Sequence, residues 1–151
     1  MRIRELPVFS VKIEREKIAK NAKVIIRIFA LLEEAGVPCE CIAINIDWIS
    51  VTILQEYRSR IPQFLWAVGK ELKGTNVILD NEFLLLCVEG ITFTSRRVGY
   101  FMTSLMFNGV YPHIMRQMNS NKKLVVGVDY ECKDTAIRII RELVDIGNKS
   151  A

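Results

Sequence analysis

Apolar positions along the chain keep two rhythms in turn, a step of two and a step of three or four. From Leu6 to Ile13 the apolar residues Val8, Val11 and Ile13 fit a strand. From about Glu16 the step lengthens: Ile18, Ala22, Ile25, Ile28-Phe29 and Leu32 line one helical face, with Glu33-Glu34 outside it. Gly36 ends that helix and Pro38 forbids its continuation. Cys39 to Asn45 and Trp48 to Leu54 read as two strands about a turn at Ile46-Asp47. A second helix, about Glu56 to Lys73, buries Ile61, Leu65, Val68 and Leu72. Pro62 predicts that it starts late or bends. Gly74 closes it, and Asn76 to Leu79 is a short final strand.

The same order then begins again. The apolar run Phe83 to Val88 stops at Glu89-Gly90, and a polar loop leads into a helix from Val98 to Asn108, ended by Gly109. Two extended segments follow, Pro112 to Met118 and Lys123 to Asp129, joined by Asn119-Ser120-Asn121. A last helix runs from Cys132 to about Ile146. Gly36-Val37-Pro38 matches Gly109-Val110-Tyr111-Pro112, so Ile28 falls on Phe101 and Leu32 on Leu105. After the turn Ile49, Val51 and Ile53 fall on Leu124, Val126 and Val128, and Ile61, Leu65 and Val68 on Ala136, Ile140 and Leu143. The offset grows from 73 to 75, which implies a two-residue insertion in the second hairpin.

The pattern predicts an α+β chain of two ferredoxin-like βαββαβ units in tandem, with antiparallel sheets and helices on one face. The units cover residues 7–80 and 81–151. The second ends before a fourth strand, which leaves an open sheet edge. Either the N-terminal residues 1–6 or another chain fills it; the first choice interlocks the units.

Composition narrows the chemistry. Half of the 151 residues are hydrophobic and a quarter charged, enough for a packed core. No apolar run approaches the roughly 18–20 residues of a membrane span, and the N-terminus lacks the apolar core of a signal peptide, so a cytoplasmic protein without membrane partners is expected. Cys39, Cys41, Cys87 and Cys132 form no CxxC pair and His113 is the only histidine, so no metal site is expected. The net charge of +4 is dispersed, and the Lys123 to Tyr130 strand has no RNP1-like run, which argues against nucleic acid. Gly90, Gly99 and Gly109 do not have phosphate-loop spacing, and His113 has no nucleophile motif beside it. No catalytic residue is expected.

Two such units in tandem resemble paired ACT domains and, more narrowly, the C-terminal regulatory region of aspartate kinase. The likeness rests on Phe29, Ile42 and Ile49-Ser50-Val51-Thr52-Ile53 in the first unit. In the second it rests on Val98-Gly99-Tyr100-Phe101, His113-Ile114-Met115-Arg116-Gln117, Val125-Val126-Gly127-Val128 and Asp134-Thr135-Ala136-Ile137-Arg138. Against the family pattern, Lys23 replaces the glycine that starts the helix, Val24 a phenylalanine and Ile25 a leucine. Glu40 replaces an aspartate, and Asn45-Ile46 a Ser-Glu pair. The resemblance places an amino-acid pocket at Ile18, Asn21, Lys23, Val24, Ile25, Glu40, Asn45 and Ile46. Independently, a loop entering a helix offers free N–H groups to a carboxylate, near Lys17 to Lys23 and again near Ser95 to Gly99. Arg97 adds charge to the second of these, and Gly99 close access.

The resemblance implies an amino-acid sensor that acts allosterically on ATP-dependent phosphorylation of aspartate, in lysine, threonine and methionine synthesis. It implies a homodimer through ACT–ACT contacts and a kinase domain as partner. ATP and magnesium would belong to that kinase domain, with no cofactor in this chain. The alternative is a ligand-independent dimerisation domain with a vestigial pocket.

Overall fold

The computed structural model describes residues 1–149, with side chains as far as Ile146. Its elements are β1 (Arg2–Glu14), α1 (Ala22–Glu34), β2 (Cys41–Ile44), β3 (Trp48–Leu54), α2 (Ile61–Glu71), β4 (Asn76–Glu89), α3 (Ser95–Phe107), β5 (Ile114–Met118), β6 (Lys123–Val128) and α4 (Lys133–Lys149). Short 3-10 turns precede α1, α2 and α4. The chain forms two compact units, Val8–Glu82 (the first) and Met1–Pro7 with the chain from Phe83 on (the second).

In the first unit the strands run in the order β2, β3, β1, β4. β1 meets β3 antiparallel from Val8↔Leu54 to Glu14↔Trp48, and β2 meets β3 from Cys41↔Thr52 to Ile44↔Ile49. Alternation puts Phe9, Val11, Ile13, Ile49, Val51 and Ile53 on one face, where they pack with Val24, Ile28, Leu31 and Leu32 of α1 and Ile61, Phe64 and Val68 of α2. The second unit repeats this as β5, β6, β4, β1. Leu84, Leu86, Val88, Leu124, Val126 and Val128 pack there with Phe101 and Leu105 of α3 and Ala136, Ile139, Ile140 and Leu143 of α4.

Several boundaries differ from the sequence reading, among them those of α1, which starts at Ala22 rather than about Glu16 and leaves Ile18 in a 3-10 turn, and of α3, which starts at Ser95 rather than Val98. Asn76–Leu79 and Phe83–Val88 are one strand, β4, because the polar Asp80-Asn81-Glu82 keeps extended backbone instead of turning. The second helix does not begin at Glu56: Gln55–Arg60 is a 3-10 turn and α2 starts at Ile61, with Pro62 in its first turn, where a missing N–H costs nothing. As a result β1 and β4 each run through the boundary, giving one piece of strand to each unit.

The hairpin registers carry the insertion. In the first unit Ile49 faces Ile44, five residues apart; in the second Leu124 faces Gln117, seven apart. The extra residues fall in Asn119, Ser120 and Asn121, all three in the left-handed region (φ 54°, 52° and 66°). Asparagine adopts that region more readily than most residues, which suits two of the three positions.

Candidate ligand site

The two units treat the same corner of the fold differently: the junction between the loop after their first strand and the tip of their hairpin. In the first unit the short hairpin is bonded onto the loop. Arg15 N donates to Asp47 O (3.0 Å), Lys17 N to Asp47 Oδ1 (2.9 Å) and Ala19 N to Ile46 O (3.1 Å). Lys17 takes a left-handed conformation to make this turn (φ 54°). Ile18 is fully buried beneath it. Asn21 caps α1, its Oδ1 accepting from Val24 N at 3.2 Å, so Asn21→Ala should weaken the helix start.

Ile18, Asn21, Asn45 and Ile46 are therefore brought to one corner, beside Lys23, Val24 and Ile25 on the first turn of α1. Val24 is buried and Ile25 half-buried against the core, while Lys23 is exposed. Glu40 is not among them. It precedes β2, its N–H donating to Thr52 O (2.8 Å), and five residues of strand-like rise separate it from Asn45, about 17 Å. The expected row of free donors is also mostly taken: from Lys17 to Ile25, only Ala22 and Lys23 keep a backbone N–H with no partner among the described residues.

In the second unit the longer hairpin is bonded to the loop farther along, Phe93 N donating to Asn121 O (2.7 Å) and Gln117 Nε2 to Phe93 O (2.9 Å), and a groove of about 420 Å³ remains beside these bonds, lined by Glu89, Gly90, Ile91, Thr92, Asn119 and Lys122. That volume lies within the roughly 300–1,000 Å³ of small-molecule clefts. Gly90 is left-handed (φ 95°), and a side chain there would meet Met1 backbone at 3.0 Å, so only glycine shapes this wall. Glu89 is paired with Lys123 (3.5 Å), whereas Lys122 is exposed. Thr94 caps α3 through Arg97 N (3.2 Å), and Arg97 Nη1 donates to Thr92 O (2.7 Å), so the arginine braces the loop. Arg97 and Gly99 thus stand on the α3 start that follows this groove, not on its walls. The sequence reading missed Glu89, Asn119 and Lys122. The two-residue offset in the repeat was the signal that could have found them.

A second groove of about 420 Å³, apolar, lies at the end of α1 in the first unit, lined by Phe29, Leu32, Gly36, Val37 and Cys39 among others. Burial, and then the charge of Glu40, push the Cys39 thiol above its ordinary range. Alkylation of Cys39 at mildly alkaline pH should therefore be slower than that of free cysteine, and Glu40→Gln should restore only part of the difference. A rate equal to free cysteine, read by mass spectrometry, would refute the assignment. No group of three or more His, Cys, Asp or Glu among the described residues is placed to hold a metal ion. Among the same residues, no helix is long and apolar enough to cross a membrane.

No protein-family model and no curated protein matches this sequence. Solved structures do. The Clostridium acetobutylicum aspartate kinase superposes with a TM-score of 0.80 at 19% identity, over 93% of this chain and 34% of that one. The regulatory subunit of aspartate kinase from Thermus thermophilus gives 0.76 at 14%, over 95% of this chain and 97% of that one. This chain has the fold of an aspartate kinase regulatory region. It spans about a third of the Clostridium kinase and nearly all of the Thermus subunit. Escherichia coli aspartokinase III, solved with lysine and aspartate, is a more distant match, with a TM-score of 0.59 at 12% identity.

Proposed function

We propose that the chain is an amino-acid-sensing regulatory region of an aspartate kinase, with its better-formed pocket in the second unit. The observation that carries this is the groove at the hairpin tip, in a fold otherwise seen in aspartate kinase regulatory regions. Its walls offer what an α-amino acid needs: a carboxylate at Glu89 for the ammonium and an ammonium at Lys122 for the carboxylate. Binding there would bias a two-state assembly and so the active site of an attached kinase domain, where ATP and magnesium would reside. Subunits would pair through the first unit's edge strand β2, whose Ile42 and Ile44 are 50% and 60% exposed. Edge strand β5 carries Arg116 and Gln117 instead, which discourage such pairing.

The test is a thermal-shift screen of the purified chain with lysine, threonine, methionine and S-adenosylmethionine. A ligand at 100 times its Kd stabilises by about 2.7 kcal/mol, enough to raise Tm by several degrees. Lys122→Glu should abolish the shift and leave the unliganded Tm nearly unchanged. If no amino acid shifts Tm, the sensing reading fails and the ligand-independent dimerisation domain takes its place. The exposed apolar edge of β2 and the bonded-shut corner of the first unit favour that second reading.

A further inference from the structure

The two units end their first helices with the same cap but not with the same residues. At the end of α3, Val110 N donates to Leu105 O (2.8 Å) and Gly109 N to Met106 O (3.0 Å), with Gly109 left-handed (φ 74°). These are the paired bonds of a Schellman motif, which closes a helix on a glycine. At the end of α1, Val37 N donates to Leu32 O (2.9 Å) and Gly36 N to Glu33 O (2.9 Å), with Gly36 left-handed (φ 71°). The residue before the glycine is Ala35 in the first unit and Asn108 in the second. The first cap forms without a polar side chain at that position, so the second does not require its asparagine.

Asparagine followed by glycine is the pair at which a backbone most readily attacks its own side chain. The attacking atom is the glycine nitrogen, which no side chain hinders, and the target is the asparagine Cγ. Among the asparagines of this chain, only Asn108 precedes a glycine. Both residues are exposed, so water reaches them. The fold nevertheless restrains the reaction. Gly109 N is engaged with Met106 O, Asn108 Nδ2 donates to Ser104 O (2.7 Å), and Arg138 Nη2 of α4 donates to Asn108 Oδ1 (3.4 Å). With ψ at 12°, Asn108 also has to turn its backbone before the nitrogen faces Cγ. The reaction therefore waits for the end of α3 to fray, an opening of low free-energy cost.

We propose that Asn108–Gly109 is a modification site, at which a slow deamidation gated by the α3 cap releases the end of that helix. When the cap opens, Gly109 N loses its proton to solvent and bonds to Asn108 Cγ, and the Cγ–Nδ2 bond breaks with loss of ammonia. Water then opens the succinimide. Attack at Cγ gives aspartate, and attack at the backbone carbonyl gives isoaspartate, with the chain running through the former side chain. Either product puts a negative charge where α3 already has its partial negative end, and Arg138 offsets only part of it. Isoaspartate also adds one atom to the backbone between Leu105 and Val110. The bond from Val110 N to Leu105 O and the buried seat of Val110 then cannot both be kept. The site does not rest on the amino-acid reading.

The test ages the whole folded chain in warm, mildly alkaline buffer made with heavy-oxygen water and follows it by peptide mapping with mass spectrometry. Asn108 should be the first asparagine to convert, giving aspartyl and isoaspartyl peptides that each carry one heavy oxygen. Conversion should be slower than in a synthetic peptide with the sequence of residues 104–113. Arg138→Ala should speed it several-fold, whereas Arg141→Ala on the same helix should not. The aged chain should melt below the fresh one. Asn108→Ala, which copies the Ala35 cap, should fold and melt alike fresh and aged. Conversion of another asparagine first, a rate equal to that of the peptide, or a rate indifferent to Arg138→Ala overturns the gated site. A fully converted chain with an unchanged Tm overturns the release of the helix end.

Discussion

Phe101→Ala is expected to lower stability by about 3–5 kcal/mol, as for a large side chain removed from a close-packed core. Phe101 is fully buried on the inner face of α3 and packs in the cluster that joins that helix to β4, β6 and α4. Removing its ring leaves a cavity that Leu105, Val126 and Ile140, held on rigid elements, fill only in part. Its counterpart in the repeat, Ile28, is equally buried in the first core, and Ile28→Ala should cost about 2–5 kcal/mol. Urea denaturation followed by circular dichroism gives both values. Phe107→Ala, six residues along the same helix, is the contrast, since a lone exposed ring changes the stability of a single chain by about 0.5 kcal/mol or less. A Phe101→Ala loss under about 1 kcal/mol would mean that the ring is not the centre of that core.

Gly127→Val should be a damaging change on the strands, through overpacking rather than through a cavity. A Cβ at Gly127 would lie 2.6 Å from Phe83 Cε2, 2.9 Å from Phe83 Cδ2 and 3.4 Å from Leu85 Cδ2. These are atoms of buried side chains on β4, not the free ends of flexible ones. The Phe83 ring is itself stacked on His113, with centroids 4.7 Å apart, and His113 Nε2 lies 2.7 Å from Asp129 Oδ1. Making room means moving the ring and, with it, the segment that His113 N anchors to Gly127 O (2.8 Å). Overpacking of this kind costs about 1–3 kcal/mol, and valine should reach the upper end. Chemical shifts of the His113 ring protons should move with it. Unchanged shifts and an unchanged Tm would mean that the ring yields freely and the close packing carries no weight.

The fold was legible because its repeat was. The core positions paired across the repeat from Ile28 with Phe101 to Ile53 with Val128 are buried in both units, whereas Leu65, paired with Ile140, is half-buried and Phe64 fills the core in its place; period-two and period-3.6 patterns identify such residues without tertiary information. What escaped depended on partners distant in sequence. Asp80-Asn81-Glu82 looks like a break because its side chains are polar, yet a strand needs only extended backbone and a neighbour, and β1 supplies the neighbour. At the candidate site, a family frame read along the chain put Glu40 beside Asn45, but a strand carries residues five apart to opposite ends. Lys17 gave no warning that it would turn left-handed, since lysine has no preference for that region and the bonds to the distant Asp47 help to hold it there. Glu89 and Lys122 read as ordinary surface charge until the longer hairpin placed them on one groove.

Because β1 and β4 each divide their length between the units, the duplication that is plain in the sequence is not a pair of independently inheritable modules. A recombination event that moved the second repeat alone into another gene would leave Met1–Pro7 behind and carry a three-stranded remnant with an unpaired edge on β4. Selection would therefore be expected to shuffle, fuse and transfer the two repeats only as a pair.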